Sequence, residues 1–172
     1  MLSQVPGNKH IGLFIEEGSG GLLNDLSFYG GDAAAIFGNQ QYTARNFWFF
    51  NARIAISVKW NWGWTFKGMF FKDCIVGIEM DEDQASTGSI TLIDSDFDHV
   101  DTAITTTRNI EDNRGTNGTL AMENVRFSSV KTILDGPAGT ILTEGNLPRS
   151  SNDLFIMVRS RFALIRLPIT KC

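Results

Sequence analysis

Two clusters in this chain of 172 residues carry side chains that could do chemistry. Asp94, Asp96 and Asp98 alternate in "IDSDFD", and Trp60, Trp62 and Trp64 alternate in "VKWNWGWTFKG", with Phe66 continuing the parity. In an extended chain successive side chains point to opposite faces. The three carboxylates would share one face, as calcium ligands or catalytic acid–base groups do. The four rings would share one side, either as a wall against the apolar faces of sugar rings or as a stack plugging a corner. Other reactive types are sparse. His10 and His99 have no Ser or Cys partner pattern for a nucleophilic triad. Cys74 and Cys172 are too few and too distant for a zinc site or a disulfide scaffold, and Cys74 is expected as a buried thiol. Asn117 opens "NGT", a glycosylation acceptor only in a secreted chain, and "MDEDQ" at 80–84 reads as a solvated loop.

A repeat must position these residues. Five segments align on a phenylalanine: "NDLSFYGGDAAAI", "RNFWFFNARIAI", "KGMFFKDCIVGI", "IDSDFDHVDTAI" and "ENVRFSSVKTIL". The anchors are Phe28, Phe49, Phe71, Phe97 and Phe127. Two residues before them stand Leu26, Phe47, Met69, Ser95 and Val125; seven after stand Ala35, Ile56, Ile78, Ile104 and Leu134. Each unit reads as strand, tight turn, strand, with corners rich in Gly, Asn and Asp. No unit shows a helical apolar period. One such unit cannot bury its own face, whereas a stack shares a continuous interior. The expected fold is all-β, a right-handed parallel β-helix of about five coils, roughly 24 Å tall at strand spacing. It is pectate-lyase-like in class, with an irregular C-terminal tail.

The repeat also assigns faces. With the anchor and its −2 position inward, the outward pairs are Ser27/Tyr29, Trp48/Phe50, Phe70/Lys72, Asp96/Asp98 and Arg126/Ser128. Trp48, Phe50 and Phe70 then form an outer aromatic patch beside Tyr29, either covered by a loop or serving as a docking face or sugar strip. Asp94 falls three before its anchor, where Asp25, Asn46 and Asn124 also stand, which is a turn role. Asp96 and Asp98 are left as solvent-facing charges.

Composition bounds the partners. An apolar content of 42% and a net charge of −4 fit one globular domain with no basic stripe for nucleic acid. No apolar run approaches a membrane span, and the opening "MLSQVPGNKHIGLF" does not read as a secretory signal. Residues 1–146 hold 10 Lys+Arg against 18 Asp+Glu, whereas residues 147–172 hold 5 against 1 and no glycine. The division is therefore read as a partial β-helix domain over 1–146 and a non-matching basic, apolar tail over 147–172.

The series "GSGGLLNDLSFYGGDAAAIFGNQQYTARNFWFFNARIAI" followed by "WNWGWTFKG" resembles the first β-helix of fungal glycoside hydrolase family 55, the exo-β-1,3-glucanases, over about Gly18 to Asn146. The resemblance implies a secreted, extracellular enzyme of two β-helices side by side, releasing glucose with inversion from laminarin-type β-1,3-glucan bound between them. It implies no cofactor and no metal. An inverting glycosidase needs one carboxylic acid for the leaving oxygen and a second group that positions water opposite. In the family the acid is a glutamate of the second β-helix, and the water is held partly by a glutamine and a serine of the first. The glutamine matches Gln40 or Gln41, and the serine position matches Thr65, which keeps a hydroxyl. Trp60, Trp62 and Trp64 would wall the sugar cleft, and the second β-helix would lie against Trp48, Phe50 and Phe70.

Family members are several times longer, so the chain is expected to be a truncated piece of such an enzyme, inactive alone because the general acid is elsewhere. Two other readings use the same residues. One is a non-catalytic β-glucan-binding module; the other is a structural β-helix whose outer aromatics pack on identical chains. A pectin-cleaving enzyme would have only Asp94, Asp96 and Asp98 to work with. No nucleic acid or membrane partner is expected.

Overall fold

The computed structural model describes residues 9–80, 87–106 and 119–143, together with the backbone of residues 2–3, 154–158 and 161–165. Asn117, Cys172 and residues 81–84 of the acidic stretch lie outside the described residues. The described elements are all strands, in two columns of parallel rungs. The first column runs β1 (Leu2–Ser3), β3 (Gly21–Tyr29), the second half of β4 (Ala33–Phe50), the second half of β5 (Ile54–Lys67) with β6 (Phe70–Lys72), β8 (Ser89–Asp98) and β10 (Thr119–Ser128). The second runs β2 (Ile11–Glu16), the first halves of β4 and β5, β7 (Val76–Met80), β9 (Thr102–Thr106) and β11 (Thr132–Gly136). The molecule is a parallel β-helix.

The register is the one the phenylalanine alignment predicts. Phe28 pairs with Phe49, Phe49 with Phe71, Phe71 with Phe97 and Phe97 with Phe127, giving five rungs separated by four full turns. Their rings stack with centroids 5.0, 5.2, 4.3 and 5.2 Å apart and planes within 14° of parallel. Burying each ring contributes about 2–3 kcal/mol, and offset stacking adds roughly 0.5–1.5 kcal/mol per pair. On the second column Ala35, Ile56, Ile78, Ile104 and Leu134 form the matching aliphatic line. Cys74 is buried at its inward position, and burial pushes its thiol up to about 11.

Two bends per coil let the strands turn. Asp25, Asn46, Gly68, Asp94 and Asn124 all have positive φ, between 50° and 65°. Only Gly, and to a lesser degree Asn and Asp, enters that region readily. Asn46 Nδ2 donates to Asp25 Oδ1 at 3.0 Å and Asn124 Nδ2 to Asp94 Oδ1 at 2.7 Å, so the bend residues also bond from coil to coil. A second left-handed line, Gly30, Asn51, Asp73, His99 and Ser129, follows each anchor by two residues. Its mixed residue types hid it from the sequence.

The stack ends by changing strand direction. β12 (Gly139–Leu142) folds back antiparallel on β11, while β13 (Leu154–Val158) and β14 (Arg161–Ile165) form an antiparallel hairpin on β10. The tail expected to be irregular thus supplies two short strands. β13 pairs with backbone groups of the last rung that would otherwise form an open edge, and β14 pairs in turn with β13.

Candidate functional site

Each coil presents two outward faces on the first column, separated by the bend three residues before the anchor. Beyond the bend lies the anchor face. Phe28, Phe47, Phe49, Phe71 and Phe97 are buried, and their outward neighbours line up as expected. Tyr29 stacks on Phe50 at 4.9 Å, and Trp48 meets Phe70 at 5.3 Å. Trp48 is exposed and Phe50 and Phe70 are half-buried, so no described loop covers the patch. The last two coils replace the rings with ion pairs. Arg126 grips Asp96 through both Nε and Nη2, and Lys72 Nζ lies 2.6 Å from Asp98 Oδ2. His99 Nδ1 lies 2.7 Å from Asp98 Oδ1.

These pairs decide the aspartate question. Bonding to Lys72 and then His99 holds the Asp98 carboxyl below its ordinary value, and the Asn124 bond, with Lys67 nearby, does the same for Asp94. Asp94 is a bend residue, and Asp96 is occupied by Arg126. A general acid needs the opposite environment, a carboxyl raised by apolar burial. Among the described residues the buried polar side chains are Asn39, Ser57, Asn61, Thr87, Ser95 and Thr106, none of them a carboxylic acid. No three His, Cys, Asp or Glu side chains among the described residues are grouped to hold a metal ion.

On the other side of the bend the outward face is small and hydroxylated. Thr43, Thr65 and Thr91 pair across β4, β5 and β8, each half-buried between inward neighbours. Gln41, exposed, pairs with Gly63 one step along the same face. Gln41 and Thr65 are therefore one rung apart and two residues along, about 8 Å between Cα positions from strand geometry. Gln40 is half-buried and has the parity of Tyr42 and the buried Ala44, so of the two glutamines Gln41 shares the face of Thr65. Thr43, Thr91 and Ser89 were not singled out from the sequence. The repeat contained the signal, since each threonine stands six residues before its anchor.

The tryptophans do not share one side, contrary to the alternation reading. Trp64 is 1% exposed and lies in the core, stacked on Phe37 at 4.3 Å and Tyr42 at 5.1 Å. Its Nε1–H donates to the Asn39 carbonyl at 3.4 Å, which satisfies the one polar atom of the ring. A residue with this burial cannot wall a cleft. Trp62, by contrast, is 64% exposed and stacks on no other ring among the described residues. Trp60 is half-buried, its Nε1 over Gly38 where no side chain intervenes. Parity breaks between Trp62 and Trp64: Asn61 is inward at 1% exposure and Trp62 outward, yet Trp64 is inward again, so the alternation skips at Gly63.

Residues 1–79 match the model of the family described as rhamnogalacturonase A/epimerase, pectate lyase-like. The chain is 38% identical over 140 residues to a probable glucan endo-1,3-beta-glucosidase of Arthroderma benhamiae, covering 80% of this chain and 16% of that protein. It is 31% identical over 150 residues to a glucan 1,3-beta-glucosidase of Cochliobolus carbonum, covering 85% and 19%. A protein of Penicillium expansum named non-secreted LysM effector LysM15 is 32% identical over 153 residues, covering 84% and 10%. The chain spans less than a fifth of each of these relatives. It is a pectate-lyase-like parallel β-helix, similar along most of its length to a small part of proteins named as glucan 1,3-β-glucosidases.

Proposed function

We propose that this chain is the glucan-contacting β-helix of a β-1,3-glucan hydrolase, working outside the cell, and that alone it binds laminarin-type glucan without cleaving it. The observation that supports the reading is the outward face shared by Gln41 and Thr65, with the exposed Trp62 three residues before Thr65 on the same strand. A pyranose ring packs its axial C–H face on an indole while its hydroxyls bond to amide and hydroxyl groups beside it. The names of the relatives supply the class of polymer.

The roles are as follows. Gln41 and Thr65 hold the water that attacks the anomeric carbon, and Trp62, with Trp60 behind it, carries the sugar. The resemblance to the inverting exo-glucanases places the proton donor on a second β-helix, for which Trp48, Phe50 and Phe70 are the docking face. Asp94, Asp96 and Asp98 do not replace that donor, because they are held by cationic or amide partners. General acid catalysis contributes roughly 10²–10⁴ in rate, so its loss leaves binding as the readable activity. Titration with laminari-oligosaccharides, followed by tryptophan fluorescence, is expected to saturate at millimolar sugar or below, with no glucose released from laminarin. An unchanged spectrum at millimolar sugar would refute the binding, and glucose release would refute the division of labour.

A further inference from the structure

Trp62 is the most exposed of the large apolar side chains among the described residues, yet the backbone beneath it is tightly held. Asn61, 1% exposed, sends its side chain into the next coil. Its Oδ1 accepts from Gly88 N at 2.7 Å and from Ser89 N at 3.2 Å, and its Nδ2 donates to Ser89 O at 2.9 Å. The Asn61 carbonyl accepts a further bond from Gly88 N at 2.9 Å. On the outer side, Ser89 Oγ donates to the Trp62 carbonyl at 3.3 Å. Two glycines make this approach possible. A Cβ on Gly63 would stand 2.9 Å from Ser89 Oγ, and one on Gly88 would stand 2.5 Å from the Trp62 carbonyl oxygen.

We propose that Asn61 and Ser89 are positioning residues that clamp the Trp62 backbone from the neighbouring coil and so hold the indole ready for a glucan ring. The inference rests on the reading of Trp62 given above. An indole standing clear of the surface must otherwise be immobilised when sugar binds, and that ordering weakens affinity. The clamp settles the backbone beforehand, because the amide is buried and bonded on both its atoms. The arrangement also accounts for the glycines at 63 and 88, which a strand would not choose for its own stability.

Fluorine NMR on protein labelled with 5-fluorotryptophan reports the four indoles separately, with Trp62→Phe assigning its signal. Ser89→Ala is expected to shift or broaden the Trp62 signal and leave that of the core Trp64 in place. The same variant is expected to weaken laminarihexaose binding by about fivefold, the size of one lost hydrogen bond. Ser89→Thr, which keeps the hydroxyl, returns both readings toward wild type. Asn61→Ala removes more of the clamp and gives a larger loss; should it fail to fold, Ser89→Ala still decides. An unchanged Trp62 signal in Ser89→Ala overturns the clamp. A changed signal with unchanged affinity overturns the positioning role. If Trp62→Ala binds as tightly as wild type, the sugar role of Trp62 fails first and the clamp with it.

Discussion

The two outward faces of the same coils contrast in what they offer a ligand. The anchor face is rich in rings, but Tyr29 and Phe50 lie flat on one another with planes 12° apart, and Trp48 leans on Phe50 and Phe70. Tyr29 and Phe50 cover one face of each other, and Trp48 and Phe70 meet their neighbours at angles of 35–61°, so the rings are already packed on one another. The strand that carries Thr65 on the hydroxylated face also carries Trp62, 64% exposed, whose ring meets no other aromatic among the described residues. A count of exposed aromatics would choose the first face for sugar. The availability of ring faces and of neighbouring hydrogen-bonding groups chooses the second. The first is suited to packing against another protein surface, since rings already packed on one another bury well but stack poorly on a pyranose.

That contrast can be broken by exchange. Trp62→Ala should weaken laminari-oligosaccharide binding by roughly tenfold or more, the scale of a central aromatic anchor, as read by calorimetry. Thr65→Val, which removes one hydroxyl from the same face, should weaken it by about fivefold. The bend that separates the faces should respond in stability. Asn46→Ala places an ordinary side chain at φ 57° and removes the bond to Asp25, which should lower the unfolding free energy by about 1–2 kcal/mol in thermal melts. Asn46→Gly should recover most of that loss, because glycine accepts that conformation.

The charged end of the anchor face gives the smallest effect. The folded Asp98 carboxyl titrates below its unfolded value, so its contribution is complete above about pH 4 and is lost as pH falls through the folded value. Asp98→Asn should therefore lower stability slightly at neutral pH, leave it unchanged at strongly acid pH and so flatten the acid limb of the pH–stability curve, with sugar binding nearly unchanged. If it weakened glucan binding as much as Thr65→Val, the assignment of the two faces would be reversed.

The fold was legible because its interior is periodic. Stacked rungs put the same kind of side chain at the same place on each turn, so Phe28 to Phe127 recur in one alignment, and Asp25, Asn46, Asp94 and Asn124 mark the bend. The second bend escaped notice because Gly30, His99 and Ser129 have no chemistry in common; the backbone alone unites them. The tryptophan stretch misled for a related reason. Alternation holds only while a strand stays regular, and it skips at Gly63, which leaves Trp62 outward and Trp64 in the core. Gln41 and Thr65 were reachable from the resemblance, but their common face needed the register between β4 and β5.

The most direct test is a backbone and side-chain chemical-shift map of the chain titrated with laminarihexaose. The account predicts that the perturbed signals are those of Gln41, Thr43, Trp62 and Thr65, with Trp48, Phe50 and Phe70 unmoved. Perturbation centred on Trp48 and Phe70, or none at saturating sugar, would contradict it.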